Sequence, residues 1–188
     1  MNNRVFVQEG ARLFGRVDIG VNTIVEHDVV VGKLNSQNEQ RFRAAVASGG
    51  EVQYESFVSE NTRIGKDCII GQGVIIFEGA CLGNEVEIEE RCRIGAGAIV
   101  GNRTRIMYQA LIYNRVSIGA NCNISGFLCN ETVVEDDCSF FGRTVHIYKR
   151  RIPPGENATQ DELEAPVVCK GSIVGFGAIL TRIIHDAA

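Results

Sequence analysis

Tryptophan is absent from this chain of 188 residues, and proline occurs only three times against 21 glycines. No apolar run approaches the roughly 20 residues that a membrane-spanning helix needs. The net charge of −4 lacks the basic excess that is typical of nucleic-acid-binding proteins. The amino-terminal residues lack the apolar stretch of a secretory signal. We therefore expect a cytoplasmic protein with no nucleic-acid partner and no membrane span.

Zinc and disulfide signatures are missing as well. The seven cysteines form no C-x-x-C pair, and their odd number disfavours a disulfide framework. The three histidines, His27, His146 and His185, lie far apart in the sequence, which disfavours a zinc site within one chain. We expect reduced cysteines that pack as small buried side chains, and no bound metal.

The chain does contain a repeat of six residues. Aliphatic residues occupy every sixth position from Val58 to Ile124, and the same period appears before and after this stretch. Glycine directly follows nine of these aliphatic residues, and a small or β-branched residue commonly lies four positions after them. A period of six fits neither an α-helix nor a plain amphipathic strand, but it fits short strands joined by tight turns. We expect the aliphatic residues to point inward and the glycines to form turns with positive φ.

This pattern predicts an all-β fold, a single domain over residues 1–188 that is built as a parallel β-helix. Three hexads form each triangular coil, so the repeat accounts for about seven coils. The pattern is the hexapeptide repeat, and it resembles that of the hexapeptide-repeat acyltransferase superfamily. The left-handed turn of the β-helix and its assembly into a homotrimer are implied by that resemblance.

A long insertion near 33–57 interrupts the repeat. Asn35 and Ser36 predict the start of a short helix, and Gly49 and Gly50 predict its end. The insertion suits either a stabilising flap or a substrate-binding arm, and the sequence leaves both open.

Two further irregularities follow. Ten residues separate Ile124 from Val134, where two hexads would need twelve. An excursion near 148–166 then holds all three prolines. It also carries three consecutive cations, Lys149, Arg150 and Arg151. These cations suit a phosphate-bearing substrate, and a solvated loop is the alternative.

His27 is one candidate for a catalytic base. It lies in the segment Ile24–Gly32, which is similar to the I-x-H-D-C-x-x-G stretch of lipid A-type acyltransferases and bacterial sugar N-acetyltransferases. In those enzymes the histidine removes a proton from the attacking hydroxyl or amine. Val29 stands here in place of the usual cysteine. A solvent-facing histidine without a role is the alternative interpretation.

His146, at the start of the excursion, is the rival candidate. The segment Val116–Leu180 resembles acetyltransferases that act on amino groups of nucleotide-linked sugars, although Ser125-Gly126-Phe127 replaces the paired asparagines of that family. The resemblance implies acetyl-CoA as co-substrate. It places the pantetheine and a phosphate of the coenzyme beside Gly175, Gly177, Ala178 and Arg182.

The sequence thus predicts a transferase that moves an acyl group, expected to be acetyl, from coenzyme A to an amino or hydroxyl group of a sugar or nucleotide sugar. The replaced asparagines favour a different class, a non-catalytic β-helix scaffold that has lost coenzyme binding. Binding of the coenzyme discriminates between these two hypotheses.

Overall fold

The structure is a computed structural model that describes residues 4–49, 51–151, 153 and 162–181. Nearly all of its regular structure consists of short strands in three long sheets, here named A, B and C. Sheet A contains β1 (Phe6–Val7), β4 (Ile24–Val25), β7 (Ile69–Ile70), β10 (Glu87–Ile88), β13 (Arg105–Ile106), β16 (Asn123–Ile124), β19 (Ser139–Phe140) and β24 (Ile173–Val174). Sheet B contains β2 (Arg12–Leu13), β5 (Val30–Lys33), β8 (Ile75–Phe77), β11 (Arg93–Ile94), β14 (Leu111–Ile112), β17 (Phe127–Leu128), β20 (Arg143–Thr144) and β25 (Ile179–Leu180). Sheet C contains β3 (Val17–Ile19), β6 (Thr62–Ile64), β9 (Cys81–Leu82), β12 (Ile99–Val100), β15 (Ser117–Ile118), β18 (Val133–Val134) and β23 (Val167–Val168).

The chain visits sheets A, B and C in turn and then returns to A one rung higher. Neighbouring strands within each of these sheets are parallel, as in the pairing of Ile88 with Ile106. We number each circuit as a coil, so that the described residues form coils 1 to 7 and two sides of coil 8. The predicted fold, a left-handed parallel β-helix of about seven coils, is confirmed.

The core is a stack of the inward-pointing aliphatic residues. Ile70, Ile76 and Ile88 are fully buried, and the same holds for the corresponding residues of the central coils. The small residues four positions later are also buried, including Cys68, Cys92 and Cys122, so their predicted packing role is confirmed. Val7 and Leu13 occupy equivalent positions in coil 1 but are exposed, because the described chain places no coil below them.

The predicted role of the glycines was wrong. Of the nine that follow an aliphatic residue, only Gly32 has a positive φ. The other eight have ordinary φ angles, and most of them face the backbone of the next coil: a Cβ on Gly95 would collide with the main chain of Tyr113. Positive φ angles occur two residues further along, where Asp67 (58°) and Arg103 (56°) adopt them. The close stacking of the coils therefore requires glycine at these positions, whereas the turns do not require glycine there.

The insertion leaves the β-helix between sheets B and C in coil 2. It contains helix α1 (Ser36–Ala47) and a 3-10 helix (Tyr54–Phe57). Asn35 caps α1 by accepting a hydrogen bond from the Asn38 amide, and Gly49 follows it with φ 79°. The predicted short helix is thus confirmed, while Gly50 lies outside the described residues. Among the described residues, no helix is long and apolar enough to cross a membrane.

Phe42 joins the two helices of the insertion. Its ring makes edge-to-face contacts with Tyr54 and Phe57, at centroid distances of 5.2 and 5.5 Å. Tyr54 in turn packs against Phe14 of coil 1 and accepts a hydrogen bond from the Leu34 amide. The insertion therefore lies against the β-helix as a packed flap.

Between Ile124 and Val134 the repeat is two residues shorter than two full hexads. The shortening lies at the corner between sheets A and B. Ile124 and Leu128 are the inward residues of β16 and β17, only four positions apart. Coil 7 repeats this shortened step between Phe140 and Thr144, and the six-residue pattern did not predict this second shortening. Two successive coils therefore share the same shortened corner.

The excursion leaves the β-helix between sheets B and C of coil 7. Its base is an antiparallel pair formed by β21 (Ile147–Tyr148) and β22 (Leu163–Glu164). Residues 152 and 154–161 lie outside the described residues. After the excursion the chain resumes the repeat in β23, so the predicted departure near 148–166 is confirmed.

Candidate functional site

The shortened corners of coils 6 and 7 leave a depression on the edge between sheets A and B. Its floor is formed by Ser125-Gly126 and Phe141-Gly142, which replace the longer corners of the other coils. Gln109 of coil 5 borders it below, and Phe176-Gly177 of coil 8 borders it above. We name this depression the corner notch.

Two adjoining cavities occupy the corner notch and the neighbouring part of sheet B, and both are lined by Gly126 and Arg143. One cavity, of about 450 Å³, is lined by Gln109, Leu111, Gly126, Phe127, Arg143 and Val145. The other, of about 380 Å³, is lined by Ser125, Gly126, Phe141, Gly142, Arg143, Phe176, Gly177 and Ile179. Cavities of this size are typical of small-molecule sites.

The lining of the notch is mainly apolar and aromatic. Phe141 and Phe176 stack with ring centroids 5.3 Å apart and an angle of 29° between the rings. Phe176 is 83% exposed. Arg143 is the one charged residue among the described lining residues, and it is exposed on the outer face of β20. The notch therefore combines aromatic surface with a single cation.

His146 lies directly after Val145, which lines the larger cavity. Its imidazole is half-buried, and its Nε2 lies 2.6 Å from the main-chain oxygen of Asn130 in coil 6. A carbonyl oxygen can only accept a hydrogen bond, so Nε2 carries the proton in the neutral imidazole. Nδ1 then holds the lone pair. This tautomer has the form of a general base whose orientation is held by the main chain.

His27 lies elsewhere on the β-helix. It is exposed at the corner between sheets A and B in coil 2, with Nδ1 3.3 Å from the main-chain oxygen of Glu9. The rise between rungs is about 4.8 Å, so the five coils between His27 and His146 correspond to about 24 Å along the axis. His27 is absent from the lining of the corner notch.

The predicted coenzyme-binding residues lie at the upper edge of the notch. Gly177 lines the smaller cavity, and Gly175 directly precedes Phe176. The carbonyl of Ala178 accepts a hydrogen bond from the Arg143 amide at 2.9 Å, so this residue connects coils 7 and 8. The prediction for Arg182 falls outside the described residues.

The predicted substrate-binding cations are exposed at the base of the excursion. Arg150 forms an ion pair with Glu162, with 2.5 Å between Nε and Oε1. The amide of Lys149 donates a hydrogen bond to the carbonyl of Glu162. Neither these two residues nor Arg151 lines the corner notch. The structure thus brings Gly177 together with Arg143, and it does not bring the basic run to the same cavity.

Arg143 and Phe176 were missed as candidate site residues. The available signal was the repeated step of four residues, from Ile124 to Leu128 and from Phe140 to Thr144, since two stacked deletions at one corner must open a depression there. Ser125-Gly126-Phe127, which departs from the paired asparagines of the resembling family, supplies part of the floor and wall.

The buried cysteines are poor candidates for nucleophiles. Burial raises the pKa of the Cys92 and Cys122 thiols to about 11 in each case. Burial also raises the pKa of Cys68 and Cys138. Such thiols stay protonated at neutral pH and react slowly. Among the described residues, no group of three His, Cys, Asp or Glu side chains could hold a metal ion.

No protein-family model and no curated protein matches the chain. Among solved structures, the chain is similar to PerB of Caulobacter crescentus in complex with CoA and GDP-perosamine, at 18% identity and a TM-score of 0.38. It is also similar to the acetyltransferase domain of PglB from Neisseria gonorrhoeae in complex with acetyl coenzyme A, at 15% identity and a TM-score of 0.37. A third similar structure is LpxA from Acinetobacter baumannii, at 12% identity and a TM-score of 0.39.

These alignments cover most of this chain but less of the larger proteins. For PerB they cover 72% of this chain and 44% of that protein, and for the PglB domain 74% and 55%. For LpxA the shares are 94% and 67%. The similar structures are those of hexapeptide-repeat acyltransferases.

Proposed function

We propose that this protein transfers an acyl group, expected to be acetyl, from coenzyme A to an amino or hydroxyl group of a sugar or nucleotide sugar. The observation that carries the proposal is the position of His146, held by the Asn130 carbonyl and adjacent to a residue that lines the corner notch. A base beside a ligand-sized cleft is the arrangement that acyl transfer from a thioester requires.

In the proposed reaction, Nδ1 of His146 accepts the proton of the attacking amine or hydroxyl. A bond forms between this nucleophile and the carbonyl carbon of the thioester, and the bond between carbon and sulfur then breaks. The departing sulfur receives the proton from the imidazolium and leaves as the free thiol of the coenzyme. The second proton stays on Nε2, which donates it in a hydrogen bond to the Asn130 carbonyl throughout, and this bond keeps the ring oriented.

The corner notch supplies surface for the coenzyme. Apolar side chains such as Phe127 and Ile179 suit the methylene groups of a pantetheine arm. Gly126, Gly142 and Gly177 line the smaller cavity, so main chain from three successive coils borders it. We propose that the pantetheine follows this line.

The experiment measures release of free coenzyme A thiol from acetyl-CoA with a panel of amino sugars and nucleotide sugars. His146→Ala should reduce turnover by at least a hundredfold, because general-base catalysis typically contributes 10²–10⁴-fold. His27→Ala is the matched control and should retain the wild-type rate. Equal activity of wild type and His146→Ala, or a loss of activity that is confined to His27→Ala, would contradict the assignment of the base.

A non-catalytic scaffold is the second candidate. The observation that favours it is the apolar outer surface of coil 8, where Ile173 and Ile179 are 82% and 66% exposed. Calorimetry separates the two functions, since a scaffold without coenzyme binding gives no heat with coenzyme A.

We also propose that the protein forms a homotrimer. Light scattering at several protein concentrations tests this directly.

A further inference from the structure

Phe176 presents an aromatic ring at the rim of the corner notch. One side of the ring stacks on Phe141, while the side chain as a whole is 83% exposed. An exposed aromatic residue of this size loses hydrophobic stabilisation unless something covers it. Planar ligand groups cover such rings by stacking, and stacking is tolerant of the identity of the base.

Arg143 supplies a cation beside this ring. Its position in β20 is opposite Ile179 in β25, and Phe176 lies three residues before Ile179. Arg143 and Phe176 therefore lie on neighbouring rungs, about 4.8 Å apart along the axis, and are offset by three residues, at most about 10 Å, along the chain. Among the described residues no carboxylate forms an ion pair with Arg143, in contrast to Arg105 and Arg115, which pair with glutamates. A guanidinium group without such a partner can bind a phosphate through two parallel hydrogen bonds.

We infer that the corner notch binds a nucleoside diphosphate, with the base stacked on Phe176 and a phosphate oxygen bound by Arg143. The inference rests on the proposed function in one respect, that both proposed substrates carry this group. Coenzyme A contains an adenosine diphosphate moiety, and a nucleotide sugar contains a uridine or guanosine diphosphate. Other described lining residues are uncharged, so Arg143 is the anion-binding group of the site.

Calorimetric titration of the full chain tests this inference with ADP, UDP, GDP, adenosine and inorganic phosphate as probes. The wild type should bind at least one nucleoside diphosphate more tightly than either adenosine or phosphate. Phe176→Leu and Arg143→Gln should each weaken that binding at least fivefold. Preference for ADP assigns the site to the coenzyme, and preference for UDP or GDP assigns it to the nucleotide sugar.

Matched controls come from the opposite end of the β-helix. Phe6 is an exposed phenylalanine of sheet A in coil 1, and Arg12 is an exposed arginine on the outer face of sheet B in the same coil. Phe6→Leu and Arg12→Gln should bind the diphosphate as the wild type does. All four variants change exposed side chains, and thermal unfolding verifies that each remains folded.

The outcomes separate this inference from the proposed function. Failure of all three diphosphates to bind, or equal affinity of wild type, Phe176→Leu and Arg143→Gln, overturns the nucleotide site even if turnover of acetyl-CoA is observed. If the wild type binds a diphosphate, both variants lose this binding and no acyl transfer is observed, the nucleotide site is supported and the proposed transferase function is overturned.

Discussion

Asn38 of the insertion donates a hydrogen bond from its side-chain amide to the buried carboxylate of Glu78, at 2.8 Å. The two residues are 40 positions apart, and Glu78 is only 1% exposed. The same carboxylate accepts hydrogen bonds from the Asn35 amide and from the amide and hydroxyl of Ser59. Glu78 therefore fastens both ends of the insertion to coil 3.

Glu78→Gln should destabilise the protein by about 1–3 kcal/mol, because the new amide group points a donor at donors that are already buried. Urea unfolding measures the loss, and limited proteolysis should cut the insertion faster in the variant. Glu55→Gln, at an exposed position in the same insertion, is the control and should unfold as the wild type does. Equal stability of wild type and Glu78→Gln would show that the carboxylate is dispensable.

Gly95→Ala should destabilise the β-helix by about 1–3 kcal/mol, because the added methyl group overlaps the main chain of Tyr113 in the next coil. Gly175 of coil 8 likewise follows an inward aliphatic residue, and no described atom lies within 4 Å of the methyl group that Gly175→Ala would add. This substitution should change stability by less than about 0.5 kcal/mol. Thermal unfolding of the two variants gives the comparison, and equal losses would refute the stacking explanation.

The buried thiols of Cys92 and Cys122 should make the folded protein less stable at alkaline pH. Their folded pKa of about 11 lies above the ordinary value of 9.0, so between these limits the unfolded chain loses protons that the folded chain keeps. The free energy of unfolding should therefore be unaffected by these thiols below pH 9 and should fall as the pH rises toward 11. Cys92→Ala with Cys122→Ala should flatten this decline, since alanine already occupies the equivalent buried positions Ala98 and Ala110. A decline of unchanged slope would contradict the assignment.

Thr144→Val should cost about 1–3 kcal/mol even though valine is more apolar. Thr144 is fully buried at an inward position, and its hydroxyl accepts a hydrogen bond from the Cys129 amide at 2.8 Å. Valine leaves this amide without its partner in the core. Thr62→Val is the control, because the buried Thr62 hydroxyl makes only a 3.5 Å contact with the Phe77 carbonyl. Chemical unfolding should separate the variants, and equal costs would remove the special role of Thr144.

The regular coils were predictable from the sequence because their signal is local and repeated. Ile70 and Ile88 belong to one hexad register, and each buries the same face against equivalent residues one coil away. The helix of the insertion was also predictable, since Asn35 and Gly49 mark its ends by their own backbone preferences. Thr144 was not recognised as an inward residue because it is polar, whereas the repeat was identified from aliphatic residues. The second shortened corner, which ends at Thr144, was therefore not predicted either.

The site was only partly predictable. Gly177 and His146 were named from resemblance, and the structure places the first in the corner notch and the second beside a lining residue. Arg143 and Phe176 carry no motif of their own. Both residues line the same cavity because two shortened corners stack directly above one another. This depends on how successive coils pack, and no single stretch of sequence shows it.

The sequence by itself determined which residues point inward, because a six-residue period places one aliphatic side chain on each face of a triangular coil. Tertiary structure decided everything that depends on the next coil. Gly95 is required by the main chain of Tyr113, and the carboxylate of Glu78 is required by donors that lie 19 to 43 residues away. These constraints act across rungs about 4.8 Å apart, whereas the residues concerned are distant in the sequence, so no local pattern records them.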